Sequence, residues 1–160
     1  MKRSGPLRRN TPLRAKGKSD TAKLKNEIQS LLRSIVIIRD GGCILRNIRH
    51  CGGTPNTPGV VLQADHLVTR ANSATFADSR LVVCVCRSCH YWKSVGSNRN
   101  KAQYDALVKT IIESERVRLW ERAEQDSWRP HRTSASDWRL EIAALRQELT
   151  RMAVPEWAEQ

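Results

Sequence analysis

Leu81-Val82-Val83-Cys84-Val85, running directly into Cys86-Arg87-Ser88-Cys89-His90, is the stretch that decides the fold. Its first five residues are apolar and mostly β-branched, which predicts a buried strand. Cys86 and Cys89 then open a short helix ending near Gly96, and the two residues between them let both sulfurs turn toward one ion.

Upstream, Val60 to Asp65 reads as an earlier strand, separated from the second by a polar loop from Thr69 to Ser79. Before it, residues 43–59 hold Cys43, Cys51, three glycines and two prolines, a composition that predicts loop. Such a loop can fold back on Cys86 and Cys89 and complete a tetrahedron. Four thiolates around Zn²⁺ make a closed, structural site. His50 is an alternative to Cys51, and Cys84 reads as a buried strand cysteine. A set of reduced core thiols is the alternative for the whole group.

Composition favours the metal. The 160 residues are 39% hydrophobic and 5% aromatic, so the core is small and a staple is expected. No segment is apolar enough to span a bilayer, and the N-terminus lacks the apolar centre of a secretory signal. The expected location is therefore the cytoplasm (of a bacterial host cell, if phage-encoded), with no membrane partner and with reduced thiols that read as ligands.

The fold class expected is α+β: a small zinc-stapled core at 41–98, flanked by helices. An N-terminal helix is expected over 19–40, capped by Ser19-Asp20, with Leu24, Ile28, Leu31, Ile35 and Ile38 on its apolar stripe. A packing helix opened by Asn100 should occupy 99–125, and a linker 126–135. Ser136 is the expected cap of a last helix, 136–153, followed by a tail, 154–160. That helix carries Trp138, Ile142, Leu145, Leu149 and Met152 at helical spacing. The stripe can dock on the domain or pair with a partner helix.

Net charge is +12, and residues 1–18 hold seven of the 28 basic residues and no acid. This segment reads as a disordered basic tail. Its Pro-Leu-Arg repeat places Arg8, Arg9 and Arg14 as candidate phosphate contacts, with a solubilising arm as the alternative. Arg87 and Lys93 are further candidates for contact with DNA, against a plain solvated face. Trp92 reads as core.

Asp65-His66 ends the first strand, and His90 follows Cys89 directly. Zinc on Cys86 and Cys89 would fix the start of the helix and so the direction of His90. Phosphodiester hydrolysis needs an activated water and relief of charge on the phosphate and the leaving oxygen. Asp65 and His90 are suitable ligands for a hard divalent cation, Mg²⁺ or Mn²⁺, and His66 is the suitable general base.

These residues carry a resemblance. Asp65-His66, followed after a loop and a strand by Cys86-Arg87-Ser88-Cys89-His90-Tyr91-Trp92-Lys93, resembles the HNH (ββα-metal) endonucleases. The likeness covers Gly41 to Gly96. The Pro-Leu-Arg repeats, Gln63-Ala64-Asp65-His66 and Ala71-Asn72 are similar to phage members, in feel the Rap/NinG recombination nucleases. The resemblance implies a strand pair and helix clasping one catalytic metal on Asp65 and His90, with His66 as base. It also implies 5′-phosphate and 3′-hydroxyl products and a helix lying along the DNA minor groove. One departure stands out: the family's middle asparagine falls at Leu81 here, and Asp78, Ser79 and Asn72 are the nearby candidates to replace it.

Three functions follow as expectations. The first is a metal-dependent DNA endonuclease, with recombination or branched intermediates as candidate substrates. The second is a non-catalytic zinc module that binds nucleic acid. The third is an adaptor whose C-terminal helix recruits a recombination or repair protein.

Overall fold

The computed structural model describes residues 19–69, 73–95, 98–126 and 133–153. The expected basic tail and its Arg8, Arg9 and Arg14, the loop residue Asn72, the helix end at Gly96 and the tail 154–160 lie outside the described residues. Among those described, the architecture is α+β and mostly helical: α1 (Asp20–Asp40), α2 (Arg46–Arg49), β1 (Leu62–His66), β2 (Val82–Cys86), α3 (Arg87–Ser94), α4 (Asn98–Ile111), α5 (Ser114–Asp126) and α6 (Ala135–Ala153).

β1 and β2 pair antiparallel, with Leu62 opposite Cys86, Asp65 opposite Val83 and His66 opposite Val82. All five residues of β2 are buried, which a strand can satisfy only when both its faces are covered. Here α1 packs on both strands, as does the shorter α3. The first strand begins two residues later than the sequence suggests, and a 3-10 turn, Ser79–Leu81, leads into the second.

α1 forms where expected. The Ser19 hydroxyl accepts the main-chain N–H of Ala22, and Gly41 closes the helix in the left-handed region at φ 61°, its N–H bonded to the Ile37 carbonyl. Its buried face differs from the expected stripe: Ile28, Leu32, Ile35 and Val36 are buried, whereas Ile38 is 49% exposed. The cause is α6, which packs along α1 more extensively than any other element. Trp138, Ile142 and Leu145 of α6 are buried there, with Leu149 and Met152 partly so. The stripe that might have met a partner helix faces this domain.

Four expectations need correction. Residues 43–59 are not loop throughout, because Arg46–Arg49 winds one helical turn. The 99–125 helix is two helices. Tyr104 and Val108 face the core, but Trp120, twelve residues past Val108, would sit about 120° around a straight helix. The break at 112–113 re-aims the second half. Asn100 does not open a helix; it lies inside α4, and its amide donates to the Trp92 and Val95 carbonyls at 3.3 and 2.6 Å, satisfying the end of α3. Finally, Ser134 rather than Ser136 caps α6: its hydroxyl accepts the Asp137 N–H, and the Asp137 carboxylate accepts the Ser134 N–H.

The entry to β2 is fastened by arginines. Arg39 donates to the Ser79 and Val82 carbonyls at 2.8 and 2.7 Å, and Arg116 to the Arg80 and Val82 carbonyls at 3.0 Å each. Asp40, ion-paired with Arg39, accepts the N–H of Cys84. α1 and α5 thereby fix the strand that delivers Cys86 to the cysteine cluster.

Candidate functional site

The sulfurs of Cys43, Cys51, Cys86 and Cys89 all lie within 4.8 Å of one another. A tetrahedral site with metal–sulfur bonds near 2.3 Å needs sulfurs about 3.8 Å apart, so the donor set fits a metal such as zinc after small rotations. Cys86 ends β2 and Cys89 lies in the first turn of α3. The other two are brought in by the loop, where the Cys43 N–H donates to the Gly53 carbonyl at 2.6 Å. Gly53 is required: a Cβ there would stand 2.4 Å from Cys43 Cβ, 3.3 Å from Cys86 Cβ and 3.5 Å from Cys51 Sγ. His50 is exposed, in the left-handed region, and outside the cluster. Cys84 is also outside it, fully buried in β2, its thiol pushed up to about 12 by burial and by the charge of Asp40.

The cluster is electrostatically uneven. Hydrogen bonding from the Cys89 thiol pulls Cys43 down to about 5 and correspondingly raises Cys89. Cys51 is raised chiefly by burial.

Asp65 forms a second centre. Its carboxylate is 3% exposed and its two oxygens are used differently. Oδ2 accepts the Tyr104 hydroxyl at 2.5 Å and the Lys93 ammonium at 2.8 Å, whereas Oδ1 faces His90 Nε2 at 3.5 Å. Oδ1 and Nε2 are spaced as an ion pair, somewhat wider than the roughly 3 Å that separates two ligands of one small divalent ion at bond lengths near 2.1 Å. The His90 side chain is 30% exposed, which leaves the pair open to solvent on one side.

His66 goes the other way. Successive strand side chains alternate faces, and the imidazole of His66 turns from Asp65 toward Phe76, stacking at 5.4 Å. Its Nε2 lies 3.1 Å from the Phe76 carbonyl, which can only accept, so a hydrogen bond there calls for a proton on Nε2, and Nδ1 is buried. Asp65 and His90 are thus brought together, and His66 is held on the opposite face of the hairpin.

The candidates for the missing asparagine have other partners. Leu81 is buried, Asp78 accepts from Arg80, and the Ser79 hydroxyl donates to Glu148. It is the Phe76 carbonyl that ties the loop to His66.

Among the basic candidates, Arg87 is exposed at the start of α3, and Lys93 is bound to Asp65. Sequence reasoning missed Tyr104 as the partner of Asp65. The available signal was a tyrosine on an apolar helical stripe, since a buried phenol needs an acceptor. It also missed Arg49, whose guanidinium stacks 3.8 Å above Trp92.

No family model, curated protein or solved structure significantly matches this chain. No helix among the described residues is long and apolar enough to cross a membrane.

Proposed function

We propose that the protein is a metal-dependent DNA endonuclease of the HNH (ββα-metal) kind, with zinc on Cys43, Cys51, Cys86 and Cys89. The observation that carries this reading is the approach of Asp65 Oδ1 to His90 Nε2, 25 positions apart in the chain, beside a helix whose start is held by two of the four cysteines.

On this reading Asp65 and His90 hold Mg²⁺ or Mn²⁺, which when bound relieves charge on the phosphate and on the leaving oxygen. Tyr104 and Lys93 fix the Asp65 carboxylate so that Oδ1 is the oxygen presented. In the role the family likeness gives it, His66 takes the proton from water, which requires the ring to turn from Phe76 toward the Asp65–His90 pair. The water oxygen bonds to phosphorus as the bond to the 3′-oxygen breaks, giving 5′-phosphate and 3′-hydroxyl ends. Arg87 and the basic tail, with Arg8, Arg9 and Arg14, bear on the phosphates. Recombination or branched intermediates are the substrates the family likeness suggests, and a recombination or repair protein is the partner it suggests.

Two observations favour a second reading, a zinc-stabilised nucleic-acid-binding module without catalysis. Lys93 already neutralises Asp65, and His66 faces away from the Asp65–His90 pair. One experiment separates them: nicking of linear, forked and four-way DNA with a panel of divalent ions, by wild type and His66→Ala. The enzyme reading expects divalent-ion-dependent nicking that is lost in His66→Ala, with DNA binding and zinc content retained. Binding without nicking by the wild type selects the second reading, and undiminished cutting by the variant removes His66 as the base.

A further inference from the structure

The outer face of α3 carries an exposed aromatic residue. Tyr91 is 65% exposed, the neighbouring Val61 is 44% exposed, and Val95, one turn further along the helix, is 44% exposed. Large apolar groups scattered singly on a surface need no explanation, but these are grouped. Tyr91, Val61, Val60 and Gly59 line a recess of about 360 Å³ together with Arg87 and with Cys51 and Cys86 of the cysteine cluster. That volume lies near the lower end of the range for small-ligand pockets, about 300–1,000 Å³.

The charge at the recess states the chemistry of its occupant. Arg87 is the one charged residue among those that line it, and no Asp or Glu occurs from 41 to 64 or from 79 to 104, the segments that build the cysteine loop, β2 and α3. The one acid between these segments that faces α3, Asp65, is buried and paired. A recess walled by an aromatic ring and valines, with an arginine and no acid in its lining, suits a flat ring attached to a polyanion. Unpaired nucleotides are such a ligand, since any base can stack on an aromatic side chain while cations hold its phosphates.

We propose that Tyr91 is a stacking platform for an unpaired nucleobase, with Arg87 on the adjoining phosphate. The recess then directs the protein to DNA that has unpaired bases. The proposal rests on the DNA-binding reading above and deepens it by naming the substrate class.

The test uses the full-length, zinc-loaded protein and two probes: a blunt duplex, and the same duplex with a single-stranded arm carrying 2-aminopurine. Wild type and Tyr91→Phe, which keeps the ring, should quench 2-aminopurine. Tyr91→Ala should not quench it, and should bind the armed duplex roughly tenfold more weakly with unchanged affinity for the blunt one. Tyr91 is exposed and is not one of the four clustered cysteines, so zinc content should be equal in all three. Equal binding by Tyr91→Ala, or equal loss on both probes, overturns the stacking role and leaves the DNA reading standing. A wild type that binds neither probe removes both.

Discussion

The Tyr104 hydroxyl donates to Asp65 Oδ2 at 2.5 Å, joining α4 to the end of β1 across 39 positions of the chain. Both groups are buried, so the bond is shielded from water, and burial with the adjacent carboxylate charge keeps the phenol protonated well above its ordinary range. Tyr104→Phe removes one donor from a buried charge while leaving the ring. Chemical denaturation should show a loss of about 1.5–3 kcal/mol. Zinc content should be unchanged, and any metal-dependent nicking should fall as the carboxylate loses its fixed orientation.

Gly53→Ala places a methyl group where Cys43 Cβ already stands. The loop can relieve the overlap only by moving Cys43 or Cys51 out of the cluster. The expected result is a variant that binds zinc substoichiometrically by elemental analysis and loses at least about 1–3 kcal/mol of stability. Full zinc occupancy with wild-type stability would show that the loop closes some other way.

The cysteines separate cleanly into two kinds. Cys43→Ser should lose the metal, because a closed thiolate site has no spare ligand, and Cys84→Ala should retain it. Cobalt substitution reads both outcomes, since a four-thiolate site gives an intense charge-transfer absorption. Stripping the metal with a chelator should lower the melting temperature of Cys84→Ala and wild type alike, and barely affect Cys43→Ser.

Much of this arrangement was legible in the sequence, and the rest failed for physical reasons. Cys86-x-x-Cys89 announces itself through local geometry, and the glycine-rich loop explains how Cys43 and Cys51 can return to it. Asp65-His66 is harder. Read as one catalytic unit, the pair conflicts with strand alternation, which sends adjacent side chains to opposite faces. The structure follows the alternation, with Asp65 toward α3 and His66 toward Phe76. Tyr104 lies on an apolar helical stripe, but its partner depends on a long-range packing of α4 that no local pattern encodes. The α4–α5 break was similarly hidden, since no Gly or Pro marks it and only the phase of the buried residues reveals it.

The packing of α6 on α1 bears on the adaptor reading. Trp138 is 1% exposed and meets Phe76 edge to face at 5.6 Å, and Phe76 in turn stacks on His66. Trp138→Ala should therefore cost about 3–5 kcal/mol and loosen the loop that holds His66. A chain ending before Ser134 should expose the buried stripe of α1 and fail to unfold cooperatively in calorimetry. A truncated chain that stays folded and retains nicking would instead free α6 for a partner.

The basic tail offers a test independent of catalysis. Each phosphate neutralised by a Lys or Arg contributes about −0.9 to the slope of log K against log salt on duplex DNA. Residues 1–18 hold seven basic side chains, so their deletion should flatten that slope by up to about 6, with the largest loss of affinity at low salt. Arg87→Ala should remove about one unit, because a single exposed guanidinium at the start of α3 meets at most one phosphate. Filter binding from low to moderate salt measures both. A tail that only keeps the protein soluble would leave the slope of the deletion variant equal to that of the intact chain.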